Sequence, residues 1–272
     1  MVLVEIGEGN QAAAVLTSQT IDTFDPDLVL FVGVAGSLVD SVQLGDVVVA
    51  TRVDAYHGGK QAAEGFMARP VTWPTAWPLE QAARQVRRER RWLAHLGEPP
   101  PQLVEALAAR GPEVHLKPIL AGEVVVDSRD SRLYRFLREH YNDAVAVEME
   151  GAGLASAAHA SGAILAMVVR GISDLAGGAK AASDAAGWQL QAARHAAAFT
   201  VELLGTLDAR DLPTHQTRKP EVGLKPTDME AELPSVEDDL RALKELEPLL
   251  HESIYMKFQE RILFRRFPHL GS

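Results

Sequence analysis

Short apolar runs alternate with amphipathic stretches along most of the chain, and glycine or proline marks many of the junctions. Val2-Leu3-Val4-Glu5-Ile6, bounded by Gly7 and Gly9, predicts a strand. Asn10 can cap a helix over 11–24, in which Ala14, Val15, Ile21 and Phe24 supply an apolar side and Pro26 ends the pattern. Leu28-Val29-Leu30-Phe31-Val32 is apolar throughout, as expected of a strand covered on both faces of a sheet, and it runs into Gly33-Val34-Ala35-Gly36-Ser37. A third strand is predicted at Val47-Val48-Val49-Ala50. Strand, helix, strand and glycine-rich turn together indicate an α/β domain.

Residues 58–117 break the pattern with Trp, Pro and Arg-rich sequence and helices around 79–96 and 102–109, which reads as an insertion over the sheet. From Ile119 the alternation resumes. Val124-Val125-Val126 and Val145-Ala146-Val147 are apolar runs, with a helix near 131–140 between them. A small-residue helix over 151–160, a buried strand over 164–169 and a last helix over 184–204 complete a domain spanning 1–207.

The composition then changes. Residues 208–234 are rich in Pro, Thr, Lys and Glu, which is linker composition. Beyond it, 235–267 reads as a helical appendage: Ser235 and Asp238 start one helix carrying Leu240, Leu243 and Leu246, and Pro248 starts a second carrying Leu250, Ile254, Phe258 and Ile262. Two helices of this length cannot form a core alone, so their stripe is expected to dock on the parent domain, a sister subunit or a protein partner.

With 47% hydrophobic and 24% charged residues in 272, a packed core is expected. The net charge of -10 gives no general attraction to a phosphate backbone, so no nucleic-acid partner is expected. The run Arg84, Arg87, Arg88, Arg90 and Arg91 reads as the solvated face of a helix. There is no cysteine, hence no disulfide framework or thiolate chemistry. No apolar stretch reaches the ~18 residues of a membrane span, and the N-terminus has no signal-like pattern. The expectation is a soluble, cytoplasmic homo-oligomer that does not bind membranes.

Ligands in α/β sheets collect where strands end at their carboxyl edge, and three such ends carry glycines or ionisable groups. Gly33 and Gly36 would allow close approach of a ligand to the backbone, or simply make a tight turn. Glu148-Met149-Glu150 places two carboxylates between an apolar strand and a helix, where they serve a ligand or the helix N-terminus. Asp174 follows a buried strand, where an acid must be hydrogen-bonded, shifted in pKa or used as a cap. His57, His159 and His195 share no metal-ligand spacing with the carboxylates, so no metal is predicted.

Three ordered blocks carry a more specific signal. The segment from Phe24 to Ser37, followed by Leu44-Gly45-Asp46-Val47-Val48-Val49, resembles the first signature of the purine and uridine phosphorylase superfamily, especially its methylthioadenosine/S-adenosylhomocysteine nucleosidases. Val147-Glu148-Met149-Glu150-Gly151-Ala152 and Val169-Arg170-Gly171-Ile172-Ser173-Asp174 are similar to the family's ribose-binding and base-protonating segments. The resemblance covers 2–204 apart from 58–117. It implies a three-layer domain, a central mixed sheet flanked by helices, and no cofactor.

By that resemblance Glu150 would bind the ribose hydroxyls, Met149 would pack on the sugar, and Asp174 would protonate or hydrogen-bond purine N7. Arg170 would stand near the attacking water or phosphate, and Val125 and Val126 would line the base. Glu148, Ser173, Gly33, Val34 and Ala35 would complete the substrate site. Phosphorylases of the superfamily hold phosphate with an arginine and a serine where this chain has Phe31 and Val34, so the resemblance implies hydrolysis of a purine, adenine-type nucleoside or nucleotide. Phosphorolysis is the alternative within the family. A non-catalytic nucleoside-sensing or scaffold module of a signalling or defence protein is the alternative outside it. The match begins after the family's first strand, which in the nucleosidases carries the glutamate that activates water, so the sheet is expected to show an edge or gap there.

Overall fold

The computed structural model describes residues 1–207, save 64, 163, 178 and 179, together with 261–265. Its strands are β1 (Val2–Glu5), β2 (Leu28–Ser37), β3 (Val47–Ala55), β4 (Gly59–Ala62), β5 (Gly65–Ala68), β6 (Val71–Pro74), β7 (Val114–Ala121), β8 (Ala146–Glu148), β9 (Leu165–Asp174) and β10 (Arg261–Arg265). Its helices are α1 (Asn10–Phe24), α2 (Trp77–Glu89), α3 (Val104–Ala109), α4 (Arg132–His140), α5 (Gly151–Ala160), α6 (Lys180–Ala185) and α7 (Trp188–Thr206). None of the described helices is long and apolar enough to cross a membrane.

Among the described residues, eight strands form one mixed sheet in the order β1-β10-β2-β8-β7-β3-β6, and β9 pairs with both β2 and β3. The strands β2, β8, β7, β3 and β9 therefore close into a ring. Successive residues of β2 face opposite layers, as strand geometry requires. Leu28, Leu30 and Val32 pack with Leu79 and Val86 of α2 and with Phe199 and Leu203 of α7. Val29 and Phe31 turn to the other side, with Ala13 and Ile21 of α1 and Leu154 of α5. Burial on both faces explains the uninterrupted apolar runs. The small residues of α5 let it approach α1 closely: a Cβ on Gly153 would lie 1.9 Å from the Asn10 carbonyl oxygen.

The Gly45-Asp46 part of the first signature block serves the fold. Asp46 is fully buried and accepts bonds from Arg110 at 2.7 and 2.9 Å and from the Gln43 and Glu113 amides at 3.0 Å, with the His115 ring 2.9 Å away. Burial alone would raise its pKa. The bonds from His115, Arg110 and the two amides outweigh that and hold the carboxyl well below the usual carboxylate range.

The gap expected beside the first strand is filled. β10 lies between β1 and β2 and is antiparallel to both, pairing Leu263 with Leu3 on one side and with Leu30 on the other. This corrects the reading of Ile262 as part of a helical stripe: 261–265 is a strand inside the sheet. The linker 208–234 and the stripe positions Leu250, Ile254 and Phe258 lie outside the described residues. A proline at an interior strand position removes a ladder donor. Leu263→Pro is therefore expected to cost about 1–3 kcal/mol, seen as a fall of roughly 2–12 °C in Tm. An unchanged melting curve by circular dichroism would remove β10 from the folded sheet.

Two further boundaries move. Val124-Val125-Val126 lies beyond the strand, which is β7 and ends at Ala121; residues 122–126 form a loop. The segment 58–117 is tied into the sheet at two places, because β6 pairs with β3 at the sheet edge and β7 starts within it at Val114.

Candidate active site

A cleft of about 370 Å3 opens where β2, β8 and β9 end, within the ~300–1,000 Å3 typical of small-molecule sites. Its walls come from the β1–α1 loop, the end of β2, the loop after β7, the β8–α5 junction and the end of β9, with Gln189 of α7 at the rim. The register that brings two of these walls together contains an irregularity: the β2–β9 pairing shifts after Ala35, so that Gly36 faces Asp174.

Gly36 admits the acid. A Cβ there would lie 2.7 Å from Asp174 Oδ1, so the carboxylate occupies space that any other residue would fill. Asp174 is itself buried, and its Oδ1 accepts a 3.0 Å hydrogen bond from the Ala176 amide. Across the cleft, Glu148 and Glu150 flank the start of α5. Glu148 folds back onto the helix, accepting from the Gly151 amide at 2.8 Å and the Glu150 amide at 3.1 Å, and it also bonds the Arg170 guanidinium. Burial pushes the Glu148 carboxyl up, against the opposing pull of Arg170. Glu150 Oε1 accepts a 3.1 Å bond from the Gly9 amide, and its Oε2 stands 3.9 Å from Arg170.

Two residues brace the remaining wall. Tyr56 is buried beneath the loop after β7, so closely that a Cβ on Gly122 would meet its ring at 2.0 Å, and its hydroxyl donates to the Val124 carbonyl at 3.4 Å. Burial pushes the Tyr56 phenol up to about 12, so it remains a donor throughout the working pH range. Asn10 joins three walls: its Nδ2 donates to the Gly122 carbonyl and to Glu123 at 2.9 Å each, and its Oδ1 accepts from the Gly153 amide at 2.9 Å.

Of the residues singled out in the sequence, Asp174, Glu150, Met149, Glu148, Val125, Val126, Val34 and Ala35 all line this cleft. Arg170, Ser173 and Gly33 do not; Arg170 and Ser173 stand behind its wall. Arg170 is fully buried, with its guanidinium 3.9 Å above the centre of the Phe31 ring, and it reaches the cleft through the two glutamates. Ser173 is likewise buried, its hydroxyl 3.4 Å from Asp174. The sequence reading missed Ile6, Gly7, Glu8, Gly36 as the seat of the acid, and Gln189. The available signal was the Gly7-Glu8-Gly9 turn between a strand and a helix, which placed an acid at another carboxyl strand end.

The family model described as the phosphorylase superfamily matches residues 1–205. A 5'-methylthioadenosine/S-adenosylhomocysteine nucleosidase of Staphylococcus aureus is 28% identical over 183 residues, covering 65% of this chain and 70% of the relative. Among solved structures, futalosine hydrolase of Helicobacter pylori aligns with a TM-score of 0.59 at 25% identity, over 74% of this chain and 77% of that one. The 5'-methylthioadenosine/S-adenosylhomocysteine nucleosidase of Neisseria meningitidis, in complex with methylthio-immucillin-A, aligns with a TM-score of 0.58 at 25% identity, over 74% and 79%. A match over three quarters of the sequence, on a mixed sheet flanked by helices with acids gathered at the strand ends, makes this chain a member of the phosphorylase superfamily.

Proposed function

We propose that this chain hydrolyses the N-glycosidic bond of an adenine-type purine nucleoside. The observation that carries the reading is the convergence of Asp174 and Glu150 on one cleft of small-molecule size. A purine anion leaves poorly, so Asp174 in its acid form gives a proton to N7 as the bond to C1' breaks. The sugar then develops oxocarbenium character, and Glu150, bonded to the ribose hydroxyls, supplies negative charge beside it. Arg170 acts from behind by holding Glu148 and flanking Glu150. The aliphatic wall of Val124, Val125 and Val126 takes the face of the base.

Water is favoured over phosphate by the charge of the cleft. Glu8 and Glu150 line it, whereas Arg170 is buried and paired. A phosphate dianion would meet carboxylates, and position 31 offers it the buried Phe31 in place of a cation. The adenine-type preference is supported by the names of the relatives, two of which are methylthioadenosine/S-adenosylhomocysteine nucleosidases. The test is to incubate the protein with adenosine, 5'-methylthioadenosine and S-adenosylhomocysteine and follow free adenine by chromatography. Adenine release that does not need phosphate is expected. Release only with phosphate would make the enzyme a phosphorylase, and no release from any of the three would sink the reading.

Glu150→Gln separates a substrate role from a structural one. The amide oxygen can still accept from Gly9, so the loop should hold. Loss of a charge-assisted bond to a ribose hydroxyl should weaken adenosine by roughly 1.5–3 kcal/mol and 2'-deoxyadenosine much less. Equal losses by calorimetry would confine Glu150 to supporting its loop and helix.

A further inference from the structure

Hydrolysis needs a group that takes a proton from water, and the cleft contains a carboxylate not yet used. Of its four acids, Glu148 is held by Arg170 and two amides, Glu150 by the Gly9 amide, and Asp174 by the Ala176 amide. Glu8 is exposed and makes no hydrogen bond or ion pair among the described residues. Its position follows from its neighbours. The amide that joins Glu8 to Gly9 is the one donated to Glu150, so Glu8 stands at the end of the cleft assigned to the ribose hydroxyls, while Asp174 stands opposite Gly36.

Stereochemistry makes that end the relevant one. In a β-nucleoside the 2' and 3' hydroxyls lie on the ring face opposite the base, and a nucleophile displacing the base must approach C1' from that face. The loop is also fixed in place. Gly9 takes a φ of +91° that glycine tolerates, and Asn10 ties the adjoining turn of α1 to Gly122, Glu123 and Gly153.

We propose that Glu8 is the general base of the reaction. The proposal rests on the nucleosidase reading of the same cleft. As the C1'–N9 bond breaks, its electron pair goes to the purine, which takes a proton at N7 from Asp174. Water forms the new C1'–O bond and gives a proton to the Glu8 carboxylate. The products are free purine and ribose with a hydroxyl at C1', and solvent returns the proton from Glu8 to Asp174.

The experiment uses the full chain and whichever of adenosine, 5'-methylthioadenosine and S-adenosylhomocysteine gives the highest kcat/KM. Glu8→Gln should lower kcat at least ~100-fold, within the span typical of general acid–base catalysis, with KM within about threefold. Sodium formate should restore at least about tenfold of the lost turnover to Glu8→Ala, because a small carboxylate can enter the vacated space. A kcat for Glu8→Gln within about threefold of wild type overturns the proposal, as does a raised KM at unchanged kcat, which would make Glu8 a binding residue. If the unaltered chain releases no adenine from any of the three, the nucleosidase reading fails and Glu8 with it; if it releases adenine and Glu8→Gln does so equally well, Glu8 alone fails.

Discussion

Asp174→Asn is expected to lower base release by about 100-fold or more while leaving nucleoside affinity nearly unchanged. The amide oxygen can still accept from Ala176, and the side chain keeps its volume opposite Gly36, so the local structure should persist. What disappears is the proton that lets the purine leave as a neutral base, and removal of a general acid typically costs that much. Free adenine measured by chromatography, with binding measured separately by calorimetry, separates the two quantities. Unchanged turnover would take Asp174 out of the mechanism.

The largest expected effect on stability is at Gly171. This residue of β9 lies directly under α7, and a Cβ there would fall 1.9 Å from the Ala192 carbonyl oxygen. Because the obstacle is backbone within a helix, rotamer changes cannot relieve it, and α7 would have to lift from the sheet together with Phe199 and Leu203. Gly171→Ala should therefore exceed the ordinary overpacking range and cost about 3 kcal/mol or more, a drop of roughly 6–12 °C in Tm. Gly205→Ala is the control: it lies in the same helix with nothing within 4 Å, and should raise stability by about 0.4–1 kcal/mol. Equal melting temperatures for Gly171→Ala and wild type would show that the helix sits farther from the sheet.

The central strands were legible because burial on both faces leaves only apolar residues in Leu28-Val29-Leu30-Phe31-Val32 and in Val47-Val48-Val49-Ala50. Asp174 and Glu150 stood out for the complementary reason, as acids placed directly after such runs. β7 was hidden by His115, Lys117 and Pro118, which interrupt its apolar pattern, while Val124-Val125-Val126 has strand composition but lies past the Gly122-Glu123 break, with Val124 and Val125 exposed. Residues 261–265 fit either period: Ile262 continues a four-residue spacing, and Arg-Ile-Leu-Phe-Arg is equally a short strand. Pairing with β1 and β2 decides between them, and pairing is a long-range fact that no local pattern contains. Glu8 was missed because an acid between two glycines looks like any polar turn until the fold brings Glu150 to its amide.

The placement of β10 also bears on how the molecule is made. Among the described residues, every other strand of the main sheet is complete by Asp174, yet the register beside β1 joins Val2 to Phe264. Contacts of such sequence separation carry a large loop-closure entropy and are slow to form. On the ribosome, β1 and β2 emerge early and wait for a partner that is translated long after them. Throughout that interval the slot between them presents two unpaired strand edges, to which a strand from a neighbouring nascent chain can add. Closing the slot must therefore wait until residues 261–265 have been made.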